Sequence, residues 1–429
     1  TTGLLTDQYE LTMVQAALRN GTADRPTVFE LYGRRLPDGR RYGIVAGVGR
    51  ALEVLADFSF DDDDLEFLRS HSLVDGPTLE WLAAYRFTGC AWGYGEGDAY
   101  FPGSPILIVE AGFAEAVVLE TLLLSIYNHD SAIASAASRM ILAADGRPCI
   151  EMGSRRTHEL SAVAAARAAY IAGFASTSNL RAGADYGVPT AGTAAHAFTL
   201  VHDTERDAFV AQVESLGAST TLLVDTYDVR TAVALAVEVA GSELGAVRLD
   251  SGDLAELAHE VRRQLDDLGA AKTRIIVTSD LDEFAIAGLA AAPVDGYGVG
   301  TSLVTGSGAP TSGFVYKLVA RATTAGGPLT PVAKRSAHKE TVGGRKWALR
   351  RLSPDGVAEA EVIGISHRPT DDGDDRPLLR ELVLDGDVIG QEPLMAARDR
   401  HRQAVAELPA ESHQLQRGEP AIPTEYEGA

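Results

Sequence analysis

Cysteine is scarce in this sequence. Only Cys90 and Cys149 occur among 429 residues, too few for a disulfide framework or for a zinc site built from cysteines. We therefore expect a protein of the reducing cytoplasm. The first residues, TTGLLTDQYELTM, also lack the basic stretch and apolar core of a signal peptide, so we expect no secretion signal there.

Basic residues are also few compared with acidic ones. The chain has 38 Lys and Arg residues against 60 Asp and Glu residues, which gives a formal net charge of −22. Surfaces that bind nucleic acid or anionic lipid are basic, so we predict neither a nucleic-acid partner nor a membrane partner. A polyanion stays a candidate ligand only if a local pocket concentrates the cations.

A long uninterrupted apolar run is missing too. The most apolar stretch, residues 111–144, contains Glu115, Glu120, His129 and Asp130. These residues argue against a membrane span. They predict instead one or two buried helices, broken near the YNHD sequence. The overall composition, 45% hydrophobic and 23% charged, is that of a globular protein.

What the sequence does have is a regular alternation of strands and helices from about residue 148. Short apolar runs are followed by a polar or glycine turn and then usually by a helical stretch. The predicted strands cover 149–154, 170–176, 188–192, 221–228, 245–251, 274–280 and 295–302. The predicted helices include 204–217 and 253–269. Such βα units predict a parallel sheet, either an irregular (β/α) barrel or an open doubly wound sheet.

The two ends of the chain show a different pattern. Strand-like segments occur at 27–33 and 105–110 near the start, and at 347–352, 360–366 and 378–386 near the end. We expect the late segments to join the early ones as antiparallel strands. The predicted fold class is therefore α/β, with an irregular (β/α) barrel and a second α+β domain built from the N- and C-terminal segments. The predicted domain limits are 1–112, 113–315 and 316–429.

Polar side chains gather where the predicted barrel strands end. The carboxyl ends of parallel strands meet at one rim, where barrel enzymes place their active sites. Seven successive strand ends carry such residues, and Arg155, Ser178, His196, Asp225, Asp250, Asp280 and Thr301 are among them. Helix capping is the alternative explanation for single positions, for example Asp250 or Ser251 before the helix at 253, but not for the whole series.

The residue types on this rim suit a phosphosugar. Arg155, Arg156 and Arg248 are candidates for binding phosphate or carboxylate. Asp250 suits ribose hydroxyls or Mg²⁺. The glycines of GYGVGTS, residues 296–302, allow backbone N–H groups to approach a phosphate, although a plain glycine-rich turn has the same sequence. The sequence contains no GxxxxGK[ST] motif, which excludes a P-loop site for ATP.

His196 differs from the other histidines because it lies among small residues between a predicted strand and a helix on this rim. A neutral imidazole there is able to act as a base or as a nucleophile. Asp225, on a neighbouring strand end, is placed to orient its other nitrogen. The two residues are therefore the candidate catalytic pair.

Seven ordered motifs resemble those of the nicotinate phosphoribosyltransferase family, and the resemblance covers nearly the whole chain. They are LLTDQYELTM (4–13), GSRR (153–156), GFASTSN (173–179), GTAAHAF (192–198), VDTYD (224–228), VRLDSGDL (247–254) and GYGVGTSL (296–303). The resemblance implies formation of nicotinate mononucleotide and pyrophosphate from nicotinate and phosphoribosyl pyrophosphate, coupled to ATP hydrolysis in NAD salvage. It also implies Mg²⁺, and a homodimer whose active sites borrow residues from the partner subunit.

The resemblance further implies roles for single residues. His196 is similar to a histidine that ATP phosphorylates, Asp225 to its orienting carboxylate, and Tyr9 to an aromatic residue that stacks on the pyridine ring from the other subunit. The implied nicotinate contacts are Tyr9, Phe174, Thr177, Ser178 and Arg248. The implied phosphoribosyl and phosphate contacts are Arg155, Arg156, Asp250, Ser251, Gly252, Asp280, Gly298, Gly300 and Thr301. The metal ligands stay unassigned.

Two positions bear on the pyridine base. Relatives that use nicotinamide have an aspartate where this chain has Ser178, and a serine is able to donate to the carboxylate of nicotinate. Relatives often place an aromatic residue at the position of Met152, so Phe174 is considered as a substitute for the second face of the ring.

Alternative functions remain open at this stage. Nicotinamide is the competing base. A sugar-phosphate aldolase or isomerase barrel would typically use a Schiff-base lysine, and the predicted strands carry none at their ends. A non-catalytic barrel that binds phosphosugars is the third possibility. The basic residues between 334 and 346, Lys339 among them, either reach phosphate or lie in a solvated loop.

Overall fold

The computed structural model describes residues 2–324, 326–334 and 342–428. Its contacts divide the chain into two compact units. One combines Thr1–Ser135 with Thr311–Ala429, and the other is Ala136–Pro310. The predicted α/β fold class is confirmed. The boundaries between the units lie after residues 135 and 310. They differ from the predicted domain limits at 112/113 and 315/316, and those limits stay a prediction.

The strands of the described residues are β1 Pro26–Gly33, β2 Gly43–Ile44, β3 Cys90–Tyr94, β4 Ala99–Tyr100, β5 Leu107–Gly112, β6 Cys149–Glu151, β7 Ser176–Thr177, β8 Thr221–Leu223, β9 Ala246–Leu249, β10 Arg274–Ser279, β11 Gly296–Val299, β12 Phe314–Ala322, β13 Leu329–Pro331, β14 Lys346–Leu352, β15 Ala358–Ile365, β16 Arg376–Pro377, β17 Leu379–Leu384, β18 Asp387–Val388 and β19 Thr424–Glu427.

The α-helices of the same residues are α1 Gln8–Asn20, α2 Val48–Asp57, α3 Asp62–Ser70, α4 Gly76–Ala83, α5 Phe113–Val117, α6 Glu120–Ala144, α7 Glu159–Ile171, α8 Leu180–Tyr186, α9 His196–Leu200, α10 Glu205–Leu216, α11 Val229–Ala240, α12 Leu254–Asp267, α13 Glu283–Gly288, α14 Thr301–Val304 and α15 Leu394–Ala406. Short 3₁₀ helices cover Ser154–Arg156, Gly241–Glu243 and Ala410–His413.

A curled parallel sheet forms the centre of the unit Ala136–Pro310. Its strand order is β7-β6-β11-β10-β9-β8, and every neighbouring pair is parallel. Val247, Leu249, Ile275, Val277 and Val299 are fully buried on these strands, as expected for a parallel sheet covered on both faces. The carboxyl ends of the six strands therefore share one rim.

Two of the predicted barrel strands differ from the structure. The segment 188–192 makes only an isolated bridge between Thr190 and Thr177, because Pro189 has no N–H to extend a ladder. The segment 170–176 is mostly not a strand. The alanine-rich helix α7 continues to Ile171, and Gly173 then reverses the chain at φ +113° before β7 begins.

Helix α12 is capped differently from the alternative considered above. The side chain of Asp253 accepts the backbone N–H of Glu256 at 3.1 Å, so Asp253 is the N-cap. Ala258, Val261 and Leu265 form its buried face. Asp250 and Ser251 are thereby free of capping and available to the rim.

The other unit is built on a seven-stranded sheet of order β13-β12-β1-β5-β3-β17-β18. Strand β1 lies between β5 and β12 and pairs antiparallel with both. Leu31, for example, faces Leu107 on one side and Tyr316 on the other. Strands from both chain ends thus share one sheet, as predicted. In a second sheet, β19 pairs parallel with β15.

The apolar stretch 111–144 forms α5 and α6, but the predicted break near YNHD is wrong. Helix α6 continues through it, and the interruption lies between Val117 and Glu120. Long-range partners hold the polar residues: Asn128 Oδ1 accepts the Phe314 N–H at 2.8 Å, and Arg50 contacts the buried Asp130 at 2.8 Å. Among the described helices, none combines the length and hydropathy that crossing a bilayer requires.

The basic residues of the C-terminal part divide into two groups. Arg345 is paired with Glu110 at 2.9 Å, and the buried Lys346 is paired with Glu30. These two cations are therefore used within the unit itself. Arg335 and Lys339 lie outside the described residues.

Candidate active site

A pocket of about 280 Å³ opens at the carboxyl ends of β6, β9, β10 and β11. It is lined by Met152, Arg155, Arg156, Arg248, Asp250, Thr278, Ser279, Asp280, Gly298, Gly300 and Thr301. Eight of these residues are the predicted phosphoribosyl contacts or Arg248. The strand ends thus bring most of the predicted anion-binding residues together.

The side chains of the three arginines of the pocket have no hydrogen bond or salt bridge to any other described residue. The Nε atom of Arg248 is buried and without a hydrogen-bond partner within that part of the chain. Burial lowers the pKa of Arg248, and the nearby Arg155 adds to this, while Asp250 and Asp225 oppose it. Guanidinium groups that are partly desolvated and unpaired favour an anionic ligand.

Glycine is required on the floor of the pocket. A Cβ atom at Gly298 would lie 2.5 Å from Thr278 Cγ2 and 2.7 Å from Met152 Sδ. At Gly300 it would lie 3.4 Å from the carbonyl oxygen of Met152, an ordinary contact distance, so lack of space requires glycine at position 298 only. The GYGVGTS sequence therefore keeps this side of the pocket open, consistent with close approach of a ligand to the backbone.

Strand β10 contributes residues that sequence reasoning assigned no role. The hydroxyl of Thr278 donates to Asp250 Oδ1 and fixes that carboxylate at the pocket. Ser279 adopts φ +151°, a conformation that non-glycine residues rarely take. Thr278 and Ser279 lie at a strand end, and this position indicates a place on the rim. The backbone conformation of Ser279, in contrast, has no sequence signature.

His196 and Asp225 are in contact, as the sequence predicted for the pair. The Nε2 atom of His196 lies 3.2 Å from Asp225 Oδ1, and the histidine side chain is 39% exposed. Asp225 Oδ2 accepts the Asp250 N–H at 3.0 Å and the Ser251 hydroxyl at 2.7 Å. The carboxylate is thus fixed by the two residues that follow β9, and His196 Nδ1 remains available for chemistry.

The segment around β7 holds three of the predicted base contacts, and only one of these three is exposed. Ser178 is exposed. Thr177 is fully buried, and its hydroxyl donates to Glu151. Phe174 is also fully buried. Neither of these two side chains presents an exposed surface, and their assignment as ligand contacts stays a prediction.

Gly252 and Ser251 lie at the β9–α12 turn, outside the pocket lining. Gly252 adopts φ +90°, so its place in the motif is explained by the turn. Ser251 reaches the site through Asp225.

Two family profiles match the chain. The nicotinate phosphoribosyltransferase (NAPRTase) N-terminal domain matches residues 4–128, and the nicotinate phosphoribosyltransferase (NAPRTase) family matches residues 148–345. Nicotinate phosphoribosyltransferase pncB1 of Mycobacterium tuberculosis strain H37Rv is 58% identical over 431 aligned residues, 98% of this chain and 94% of the relative. This chain belongs to the nicotinate phosphoribosyltransferase family. It is an enzyme of this type.

More distant relatives agree. The human nicotinate phosphoribosyltransferase is 31% identical, over 85% of this chain and 80% of the relative. The crystal structure of human nicotinic acid phosphoribosyltransferase superimposes with a TM-score of 0.84 at 27% identity, covering 98% of this chain and 97% of that one. A nicotinate-nucleotide pyrophosphorylase from Pyrococcus furiosus, with a TM-score of 0.77 at 24% identity, shares the fold.

Tyr9, the residue that the family resemblance assigns to ring stacking, lies on α1 in the unit formed by both chain ends. Its side chain is exposed. Partial burial and the neighbouring Glu120 and Glu10 raise the pKa of Tyr9 to about 12, so the phenol is neutral at physiological pH. An exposed neutral ring is chemically suited to stacking.

Proposed function

We propose that this member of the nicotinate phosphoribosyltransferase family makes nicotinate mononucleotide and pyrophosphate in NAD salvage. The pyridine nitrogen of nicotinate attacks C1′ of phosphoribosyl pyrophosphate, and the bond from C1′ to the pyrophosphate oxygen breaks. The observation that carries the proposal is the pocket with three unpaired arginines beside Asp250. Such a pocket fits a sugar that bears several phosphates.

The chain's own residues have separable tasks in this reaction. Arg155, Arg156 and Arg248 bind the phosphates and stabilise the charge that develops on the leaving pyrophosphate. Asp250, held by Thr278, accepts hydrogen bonds from ribose hydroxyls. Gly298 and Gly300 leave room for a phosphate next to the backbone.

Magnesium fits the same pocket. Asp250 and Asp280 both line it, and carboxylate oxygens are the ligands that Mg²⁺ prefers. These two residues would hold the ion, which supplies charge neutralisation for the pyrophosphate group.

ATP is the proposed co-substrate, with His196 as its phosphoryl acceptor. His196 Nδ1 attacks the γ-phosphorus, ADP leaves, and water later hydrolyses the phosphohistidine to release phosphate. Asp225 holds Nε2 and stabilises the cationic imidazole. The chain has no P-loop motif, so ATP uses the same arginine pocket before phosphoribosyl pyrophosphate binds.

Replacement of the histidine tests this coupling. In His196→Ala we expect no acid-labile phosphoryl group after incubation with labelled ATP, and loss of ATP-stimulated synthesis, while a slow ATP-independent synthesis remains. His259→Ala, an exposed histidine on α12, serves as the control and retains both. Full ATP stimulation in His196→Ala would refute the phosphohistidine step without affecting the transferase proposal.

The assembly and the location are also proposals. A homodimer with shared active sites would bring Tyr9 of one subunit to the base bound by the other. Cross-complementation tests it: Tyr9→Ala and His196→Ala chains, each lacking ATP-stimulated synthesis alone, should regain part of that activity when they are mixed. A cytoplasmic location is proposed from the low cysteine content.

A further inference from the structure

Glu151 is a fully buried carboxylate without a cationic partner among the described residues. Three other buried glutamates have one: Glu30 contacts Lys346, Glu283 contacts Arg139, and Glu361 contacts Arg350. The buried Glu10, like Glu151, accepts from neutral donors. Leaving a buried carboxylate without a counter-charge costs stability. Desolvation accordingly raises the pKa of Glu151.

The contacts of Glu151 reach two different loops of the rim. Its Oε1 accepts the Gly153 N–H at 2.5 Å, at the start of the turn that carries Arg155. Its Oε2 accepts the Thr177 hydroxyl, and its backbone carbonyl accepts the Ser178 N–H at 2.8 Å. One side chain therefore holds the arginine turn and the proposed base loop at once.

A closed hydrogen-bond circuit completes this connection. Thr177 Oγ1 accepts the Asn179 N–H at 2.9 Å, and the Asn179 side-chain amide donates to Ser154 Oγ at 3.0 Å. Ser154 follows Gly153 in the arginine turn. The circuit thus runs from Glu151 through Gly153 and Ser154 to Asn179 and back through Thr177.

We propose that Glu151 is a positioning residue that fixes the phosphate-binding turn 153–156 and the base loop 177–179 in one geometry. This inference rests on the proposed function and adds a residue to it. Glu151 does not line the pocket, so it acts through Arg155 and Ser178 and not by touching substrate. Correct spacing of the loops matters because the pyridine nitrogen and C1′ must meet within reacting distance.

Glu151→Gln is the sharpest test, because glutamine keeps the shape and an acceptor for the Gly153 N–H. It presents an NH₂ group to Thr177, whose hydroxyl then has no acceptor. A hydrogen bond to a charged group is stronger than one between neutral groups. We therefore expect the KM for nicotinate to rise about tenfold or more, with kcat changed less than about threefold, and a thermal midpoint equal to or above that of the wild type.

Thr177 provides the second arm. Thr177→Val removes the same bond from the other side and should reproduce the KM effect. Thr177→Ser keeps the hydroxyl and should retain the wild-type KM. In the double variant Glu151→Gln/Thr177→Val the effects should not add, since both changes break one contact.

Glu283→Gln is the matched control. Glu283 is a buried glutamate of the same unit that accepts from the Ser307 hydroxyl, but it also pairs with Arg139. We expect this variant to lower the thermal midpoint and to leave the KM values for nicotinate and phosphoribosyl pyrophosphate unchanged. A lowered midpoint with an unchanged KM in Glu151→Gln would instead show that Glu151 is merely structural and would overturn the inference.

Two measurements need no turnover and separate this inference from the proposed function. Hydrogen–deuterium exchange should increase in peptides covering 153–160 and 176–183 in Glu151→Gln but not in Glu283→Gln. Pyrophosphate binding, measured by calorimetry, should weaken in Glu151→Gln alone. If the wild type makes no nicotinate mononucleotide, the proposed function fails, and these two readouts still decide the role of Glu151; unchanged exchange and binding would refute it.

Discussion

Single carboxyl groups in this chain are tuned by what surrounds them. Glu10 is fully buried on α1, where Oε1 accepts from the backbone N–H and the hydroxyl of Thr121, at 2.9 and 2.6 Å, and Oε2 accepts from the Thr6 hydroxyl. Burial is the main reason that the pKa of Glu10 rises from 4.5 to about 7, with Glu120 and Asp7 contributing and Thr121 opposing.

This shift predicts a pH-dependent contribution to stability. Because the folded pKa of Glu10 is raised, the protonated form is favoured by folding, so the contribution is present below about pH 4.5 and is lost as pH rises through 7. In urea unfolding, the free energy of unfolding of the wild type should fall by at least about 1 kcal/mol relative to that of Glu10→Gln between pH 5 and pH 8.

The control for Glu10 is Glu80→Gln, which changes an exposed glutamate of the same unit. Its stability should follow that of the wild type across this range. A difference between wild type and Glu10→Gln that is the same at pH 5 and pH 8 would contradict the prediction.

Ser178 is the residue on which the choice of base depends. It is exposed at the end of β7, and its backbone N–H is held by the Glu151 carbonyl. An aspartate there would repel the carboxylate of nicotinate and accept from an amide. In Ser178→Asp, the ratio of kcat/KM for nicotinate to that for nicotinamide should fall by about tenfold or more. Ser178→Ala should change this ratio less, and an equal ratio in both variants would exclude the role.

Among the elements, the start of α12 shows two neighbouring aspartates with different roles, one in the helix cap and one in the site. Asp253 caps α12, whereas Asp250 faces the pocket. Asp253→Ala should lower the free energy of unfolding by about 1 kcal/mol and leave the KM for phosphoribosyl pyrophosphate unchanged. Asp250→Ala should raise that KM without a comparable loss of stability. The reverse pattern in urea titrations and steady-state kinetics would contradict the assignment.

The elements also show what sequence reasoning is able to predict. Strands such as β10 and the amphipathic α12 are predictable because the spacing of apolar residues in the local sequence indicates which side chains are buried. The continuation of α6 through YNHD was not, since Asn128 and Asp130 are satisfied by Phe314 and Arg50, far away in the sequence. The strand predicted at 188–192 makes only an isolated bridge, because Pro189 has no N–H to extend a ladder.

In the candidate site, too, local motifs were predictable and contacts between distant residues were not. Arg155, Arg248, Asp250 and the glycines of β11 were predicted from motifs at strand ends, and the structure places them around one pocket. Glu151 lies beside a motif but had no signal of its own, because its importance comes from bonds to Gly153 and Thr177 that exist only after folding. The full burial of Phe174 likewise depends on the folded structure, and its role as a ligand contact stays a prediction.

For the whole molecule, the net charge of −22 and the binding of a polyanion are compatible because charge is local. Three arginines at one pocket carry no salt bridge to the other described residues, whereas cations such as Arg345 and Lys346 are paired elsewhere. In the pocket lining the three arginines outnumber Asp250 and Asp280, and a local excess of positive charge attracts anionic ligands. The excess of negative charge on the remaining surface then contributes to solubility.

The sheet shared by the two chain ends predicts that these ends unfold together. Leu31 is fully buried on β1, between Leu107 and Tyr316, and truncation of such a leucine costs about 2–5 kcal/mol. In native-state hydrogen exchange, Leu31→Ala should lower the free energy of opening equally for amides of β1 and β12, from opposite ends of the chain. Leu249→Ala, on β9, should act first on its neighbours β8 and β10. Unchanged protection of β12 in Leu31→Ala would mean that the early and late strands open separately, and that the two chain ends do not form one cooperative unit.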